Sequence, residues 1–357
     1  MKELIDQYGR KINYLRISVT DRCNLRCIYC MPETGIISKK FEEILTYEEI
    51  LKIVQVGVSL GINKIRITGG EPLVRKNIVY LIGALSKIKG IDDFSLTTNG
   101  VLLTEYAKDL KKIGLKRINI SLDTLNREKY KFITRTDNLN KVLEGINKSL
   151  KLGLKPVKIN VVVMKDINND EIIEFAKLTL KEPLHIRFIE FMPIGPMIQD
   201  WRDKFISNNK VKDYCQNLGK LEEIYPGHII ELNKNKNWNS YVINCTQTDN
   251  RCNNANTSIS SSYRFKNAKG TISFISPVSK PFCSKCCRLR LSSDGKLRLC
   301  LGSPKEINLI SLIRSNQFSF DCLKQVFVFA VTLKPKKHCF NSEFYISNQK
   351  TMCQIGG

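Results

Sequence analysis

No stretch of the 357 residues approaches the roughly 18 consecutive apolar residues that a membrane span requires. The most apolar late run, Val326 to Leu333, is long enough only for a core helix or strand. The opening MKELIDQYGRK has no apolar segment of the secretory kind, so a cytoplasmic location is expected, with no membrane partner. No unit recurs at a fixed period, which removes repeat architectures. Acid is scarce: 34 Asp and Glu stand against 57 Lys and Arg, a net charge of +23. Such an excess suits a polyanion, whether nucleic acid, a nucleoside triphosphate or an anionic membrane. The lysines are scattered, however, and no basic patch is interleaved with aromatics, so nucleic acid is not the expected partner. A Lys- and Asn-rich surface is the better account of the charge, and charge alone decides nothing. At 42% hydrophobic and 25% charged, the chain has an ordinary globular composition.

From about residue 10 to residue 195, short β-rich runs alternate with longer helical patterns. Strands are predicted at Tyr14–Val19, Lys64–Thr68, Phe94–Thr98, Arg117–Leu122, Val157–Val163 and Ile186–Phe191. Amphipathic stretches lie between them at Thr46–Gly61, Lys76–Lys89, Glu105–Ile113, Leu139–Leu152 and Asp170–Leu180. Thr46-Tyr47-Glu48-Glu49 reads as a helix start, with a capping hydroxyl and acids in the first turn. Repeated β-then-α order predicts an α/β fold: a parallel sheet with helices outside, an incomplete (β/α)6-type TIM barrel. Polar residues cluster just after several strands, where such folds place their sites. The pattern fails after about residue 225. Asn233–Ser240 and Asn250–Ser262 are Asn/Ser-rich and turn-prone, and a β-rich segment follows at Gly270–Pro277. Two units are therefore expected, 1–225 and 226–357, the second a smaller β-containing extension.

Thirteen cysteines in a chain of this kind point to metal more than to disulfides. Six (Cys215, Cys245, Cys252, Cys322, Cys339, Cys353) are dispersed and read as small buried apolar residues. Three others form Cys23-Asn-Leu-Arg-Cys27-Ile-Tyr29-Cys30, a C-x3-C-x2-C run just after the first predicted strand. A structural zinc site takes four ligands, and no fourth Cys or His is near in sequence. A [4Fe–4S] cluster on three thiolates leaves one iron open for another ligand, which suits chemistry better than simple electron transfer. Arg26 here and Arg288 at the second group are cations that would favour thiolates. The second group is Cys283-Ser-Lys-Cys286-Cys287-Arg288-Leu-Arg290, then Ser293-Asp294-Gly295-Lys296 and Cys300: C-x2-C-x13-C with an extra cysteine. Zinc and a second cluster fit it equally from spacing alone. Ser293 to Lys296 reads as a hairpin turn between strands.

The first run, with an aromatic before its last cysteine, resembles the radical S-adenosylmethionine (SAM) superfamily. Thr68-Gly69-Gly70-Glu71-Pro72 after the second strand is similar to that superfamily's glycine-rich element. Two glycines permit close backbone approach to a ligand, and a carboxylate can accept from the SAM ammonium. Thr97-Thr98-Asn99-Gly100 and Ser121-Leu122-Asp123 end the third and fourth strands. Together with the second cysteine group and its R-x-R, the whole chain resembles the GTP 3′,8-cyclases of molybdenum cofactor biosynthesis. Further matches are Cys30-Met31-Pro32, Lys64-Ile-Arg66, Phe191-Met192-Pro193-Ile-Gly195, Gly270 to Pro277 and the terminal Gly356-Gly357.

That resemblance implies two [4Fe–4S] clusters and SAM as cofactors, GTP as substrate, and a lyase reaction started by a 5′-deoxyadenosyl radical. It implies SAM-cluster ligands Cys23, Cys27 and Cys30, and substrate-cluster ligands Cys283, Cys286 and Cys300. Tyr29, Gly70, Glu71, Ser121 and Met192 would contact SAM. Arg16, Arg66, Thr97, Lys158, Arg288 and Arg290 would contact GTP, with the double-glycine tail reaching toward the site. Arg16 lies within a strand and Lys158 near the start of one, so both can face a barrel interior, where an unpaired charge is costly. The implied partners are an electron donor such as flavodoxin or ferredoxin and the downstream cyclic pyranopterin monophosphate synthase; a homodimer is left open. Cys287, where the family usually has Asn, and the Asn/Ser-rich region are departures. The competing readings are a radical SAM enzyme acting on a peptide or RNA base, and a non-catalytic zinc module.

Overall fold

The computed structural model describes residues 3–224, 261–340 and 350–356. The Asn/Ser-rich stretch up to residue 260, Cys245, Cys252 and Gly357 lie outside the described residues.

Six strands form in the predicted places: β1 (Tyr14–Ser18), β2 (Lys64–Thr68), β3 (Asp93–Thr98), β4 (Arg117–Ser121), β5 (Val157–Val163) and β6 (Leu184–Glu190). All five pairings within β1-β2-β3-β4-β5-β6 are parallel. The helices that return the chain are α1 (Tyr47–Ser59), α2 (Ile78–Ser86), α3 (Leu103–Lys112), α4 (Arg127–Thr134), α5 (Leu139–Lys151) and α6 (Ile172–Lys181). The predicted start of α1 is a complete capping box: Thr46 accepts from the Glu49 N–H at 3.2 Å, and Glu49 accepts from the Thr46 N–H at 2.7 Å. The helix α4 escaped the sequence reading because its eight residues, REKYKFIT, are too short and polar to show a clear apolar stripe.

Alternation along these strands is the key to the interior. Leu15, Ile17, Ile65, Ile67, Leu96, Ile118, Ile120, Ile159 and Ile186 face the helices and are fully buried. The intervening positions are polar: Arg16, Arg66, Ser95, Thr97, Arg117, Asn119, Lys158, His185 and Arg187. Parallel strands covered on both faces normally read as continuous apolar runs. A polar concave face is the mark of a barrel that holds a site in its interior.

The C-terminal part adds strands to both edges. After α7 (Trp201–Lys204) and α8 (Asn208–Gln216), β7 (Leu221–Ile224), β8 (Ser262–Phe265) and β9 (Thr271–Ile275) extend the β6 edge, β9 pairing parallel to β6. Beside β1 lies β10 (Arg288–Leu291), also parallel, then β11 (Lys296–Arg298) and β12 (Glu306–Asn308). The described strands thus make one sheet, β12-β11-β10-β1-β2-β3-β4-β5-β6-β9-β8-β7. The predicted turn joins β10 to β11, with Gly295 at φ +71° where an L side chain would be strained. The late apolar run falls in α10 (Phe320–Thr332) and its C-cap Leu333, after α9 (Leu309–Ile313); a last turn, α11 (Met352–Ile355), precedes Gly356. Among the described residues no helix is long and apolar enough to cross a membrane.

Candidate active site

Every loop leaving the C-terminal ends of β1, β2, β3, β4 and β6 carries one of the predicted elements. The cysteine loop follows β1 and is laid along the end of α4, where Arg26 N–H donates to Thr134 O at 3.0 Å and Ile28 N–H to Ile133 O at 2.9 Å. Cys23, Cys27 and Cys30 are half-buried on it. The Cys23 sulfur accepts from the Leu25 N–H at 3.4 Å and from Asn99 Nδ2 at 3.8 Å. Donors on a sulfur are what cluster thiolates use to spread their charge, so this donor set fits an iron–sulfur cluster. Among the described residues, no three His, Cys, Asp or Glu side chains converge closely enough for a single ion.

The Gly-Gly-Glu-Pro element braces this loop. A Cβ on Gly70 would lie 2.3 Å from the Arg22 carbonyl oxygen, so glycine is required there. On that side the chain's own cysteine loop comes close, tied by Gly70 N–H to Thr20 O at 2.6 Å and Glu71 N–H to Arg22 O at 2.8 Å. The Glu71 carboxylate is fully buried and accepts from Thr98 Oγ1 at 2.6 Å, Asn99 N–H at 2.6 Å and Leu73 N–H at 3.1 Å. Burial outweighs those donors and pushes its pKa up to about 7. Gly195, at φ +87°, likewise lets the loop after β6 touch the Tyr29 carbonyl.

The Tyr29 hydroxyl donates to Asp123 Oδ2 at 2.6 Å, and Asp123 Oδ1 accepts from Val162 N–H at 2.8 Å. Burial raises Asp123 to about 6. The Tyr29 ring packs against Ile133, Met164 and Phe191, an apolar wall at the mouth of the barrel. Ser121 ends β4 opposite Asn160, and Met192 joins Ile194 and Ile355 in a separate apolar cluster.

Burial also raises the first-site thiols. Cys23 goes to about 11 and Cys27 well above its usual value. Cys30 rises through a hydrogen bond with Cys353 first and burial second. The Arg26 guanidinium, on the same loop, donates to the carbonyls of Cys23 at 2.6 Å and Leu25 at 3.0 Å. Cys353 is buried, as its sequence setting predicts, and lies beside Cys30 although 323 residues downstream of it.

Strand register brings the predicted cations together. Arg16 stands opposite Arg66 on β2 and Arg290 on β10, and Tyr14 stands opposite Arg288. Lys158 is opposite Asn119 and His185. Arg117 and Arg187 point into the same interior and were not foreseen; Arg117 pairs with Asp93 at 2.5 Å, and Arg187 Nη2 donates to Asn119 Oδ1 at 2.6 Å. Burial lowers Lys158 to about 7, with Arg187, Arg117 and Arg66 adding repulsion. Burial brings Arg290 to about 10, and the Arg288 charge adds to the shift. Thr97 Oγ1, Tyr14 Oη, and the Nε atoms of Arg117, Arg187 and Arg288 are buried without a hydrogen-bond partner among the described residues. Orphaned donors beside massed positive charge are the lining of an anion site.

The second cysteine group closes this site from the β10 side. Cys283, Cys286 and Cys300 are half-buried, Cys283 and Cys286 on one short turn with Cys286 N–H to Cys283 O at 3.2 Å. Burial would push the Cys286 thiol up, but the charges of Lys334, Arg288 and Arg10 outweigh it and bring it below its usual value. Cys287 goes the other way: burial raises it despite Arg288. Its carbonyl accepts from Asn13 N–H at 3.2 Å and Tyr14 N–H at 3.1 Å, starting the β10–β1 ladder. Between the two groups runs the tail: Arg290 Nη1 donates to Gly356 O at 2.6 Å, and a Cβ on Gly356 would press on Ser18 at 2.9 Å.

Comparison with known proteins agrees with this arrangement. A family profile described as the radical SAM superfamily matches residues 17–179, and one described as Molybdenum Cofactor Synthesis C matches residues 233–340. The structure of Streptococcus suis SuiB superposes with a TM-score of 0.52 at 17% identity, over 89% of this chain and 67% of that one, a likeness of fold. Its SAM-bound form gives 0.51 at 16% identity, over 85% and 65%. The GTP 3′,8-cyclase of Alkaliphilus oremlandii is 44% identical over 352 residues, 99% of each chain. That of Petrotoga mobilis is 46% identical over 354 residues, 99% of this chain and 100% of the other. A cysteine loop built for an iron–sulfur cluster and such identity from end to end identify the chain as an enzyme of the radical SAM superfamily, and it belongs to the family of GTP 3′,8-cyclases.

Proposed function

We propose that the protein converts GTP to (8S)-3′,8-cyclo-7,8-dihydroguanosine 5′-triphosphate, the opening step of molybdenum cofactor biosynthesis. The observation that carries this reading is the polar concave face. Arg16, Arg66, Arg117, Lys158, Arg187, Arg288 and Arg290 converge there, with Asp93 paired to Arg117. A triphosphate is the ligand whose charge such a lining balances.

In this reading Cys23, Cys27 and Cys30 would hold the SAM cluster, and Cys283, Cys286 and Cys300 would hold a second [4Fe–4S] cluster beside the substrate. With SAM bound, a reduced cluster on the first three thiolates would supply one electron that breaks the SAM S–C5′ bond, releasing methionine and a 5′-deoxyadenosyl radical able to take the ribose 3′ hydrogen. C3′ would then bond to C8, and a second electron with one proton would complete the dihydropurine, both electrons coming from a flavodoxin- or ferredoxin-type donor.

The chain's own residues bind, orient and exclude. Tyr29, Gly70, Glu71, Ser121 and Met192 border SAM; Asp123 fixes the Tyr29 ring, and Glu71 holds the Asn99 loop over Cys23. Arg16, Arg66, Thr97, Lys158, Arg288 and Arg290 orient the triphosphate and sugar, and Arg117 and Arg187 join them. The tail bound to Arg290 covers the mouth and keeps water from the radical. Residues 1–225 then form the radical-generating unit, and 226–357 the unit that presents substrate. The product passes to a cyclic pyranopterin monophosphate synthase.

The test is anaerobic: reconstitute with iron and sulfide, reduce, add SAM and GTP, and read both products by mass spectrometry. 5′-Deoxyadenosine together with an isomer of GTP is the expected result. Deoxyadenosine with unchanged GTP would retire the cyclase reading and keep the radical one.

A further inference from the structure

Lys334 is 1% exposed, the kind of burial a lysine accepts only with a partner. It follows α10, and its side chain turns inward beneath the second cysteine group. Nζ donates to Arg288 O at 2.8 Å and to Leu299 O at 2.5 Å. These two carbonyls flank the cysteine set: Arg288 lies two residues beyond Cys286, and Leu299 immediately precedes Cys300. Carbonyls satisfy two of the ammonium's three donors, but they do not neutralise its charge. Among the described residues no carboxylate pairs with Lys334, although fifteen ion pairs occur elsewhere.

The neighbouring Arg10 shows how this region treats a buried cation that does have a carboxylate. Arg10 is paired to Asp6 at 2.5 Å, with both side chains buried, and its guanidinium ties Cys283 O at 2.7 Å to Pro335 O at 2.8 Å. Lys334 sits one residue before Pro335 without such a partner. A buried charge left uncompensated costs several kcal/mol. The two carbonyls that hold its Nζ belong to residues beside Cys286 and Cys300, so the groups nearest in the chain that can carry negative charge are cysteine sulfurs.

We propose that the Lys334 ammonium is the buried counter-cation of an iron–sulfur cluster held by Cys283, Cys286 and Cys300, and that it sets that cluster's retention and reduction potential. The inference rests on the two-cluster reading above. It makes Lys334 a positioning residue: it acts on substrate only through the cluster. Reduction adds negative charge to the cluster, so a nearby cation favours the reduced form.

The test uses a chain in which Cys23, Cys27 and Cys30 are all alanine, so that any cluster belongs to the second site. Iron and sulfide per chain and the EPR-monitored midpoint potential are measured for this parent, for Lys334→Gln and for Lys334→Arg. Glutamine keeps hydrogen-bond donors and loses the charge; arginine keeps the charge. The glutamine variant is expected to lose its cubane or to reduce at a clearly more negative potential, and the arginine variant to return toward the parent. Glutamine with unchanged iron and potential overturns the proposal, as does an equal shift in both variants. A parent that takes up no cubane overturns the two-cluster reading itself. In the wild-type background, a surviving first-site signal in Lys334→Gln shows that the chain has folded.

Discussion

Cys23, Cys27 and Cys30 lie among carboxylates, whereas Cys283, Cys286 and Cys300 lie among cations. Asp123 opposes ionisation of Cys27, Glu71 opposes that of Cys23, and burial raises all three first-site thiols. At the second site Lys334, Arg10 and Arg288 bring Cys286 below its usual value. Bound iron must displace the protons of the first group, while in the second group the cations bring one thiol, Cys286, below its usual value and burial still raises Cys300. The same division suits the ligands. SAM carries a sulfonium and an ammonium and belongs beside carboxylates; a triphosphate belongs beside guanidinium groups.

The largest expected effect comes from breaking the first group. Cys23→Ala abolishes 5′-deoxyadenosine formation, and retained deoxyadenosine would refute the assignment. Next, Arg288→Ala weakens GTP binding by about 2 kcal/mol, on the order of thirtyfold, as loss of a charge-assisted hydrogen bond should. SAM binding stays nearly intact, so an equal loss of both affinities in a calorimetric titration would indicate misfolding instead.

Opposite pH profiles for the two ligands sharpen the comparison further. Lys158, near 7 in the free protein, is raised by a bound triphosphate, so GTP binding takes up a proton and weakens as pH rises through 7. Asp123, near 6, is lowered by a bound cation, so SAM binding releases a proton and weakens as pH falls through 6. Calorimetry in buffers of different ionisation enthalpy reads both signs, and Lys158→Met flattens the GTP profile. The smallest effect is expected at Cys287: its serine variant keeps second-site iron within about twofold, whereas Cys286→Ser loses the cluster.

The strands, the capping box and both cysteine runs were legible because each is written in consecutive residues. Arg117 and Arg187 left a signal that went unused. Arg117-Ile-Asn119-Ile-Ser121 and His185-Ile-Arg187 repeat the alternation of Lys64-Ile-Arg66-Ile-Thr68, which marks the same inward face. Lys334 and Cys353 left none. Their roles depend on β10 lying parallel to β1, Arg290 opposite Arg16, a pairing of residues 274 apart that no local pattern encodes. Glycine at position 70 predicts a close approach, and on its Cβ side the Arg22 carbonyl makes one; sequence tells that something comes close, not what.

The division of labour between the two groups is tested most directly by EPR on the reduced Cys23→Ala chain, with and without GTP. A cubane signal that shifts with GTP and ignores SAM is the predicted result. No cubane signal, or one indifferent to GTP, would contradict it.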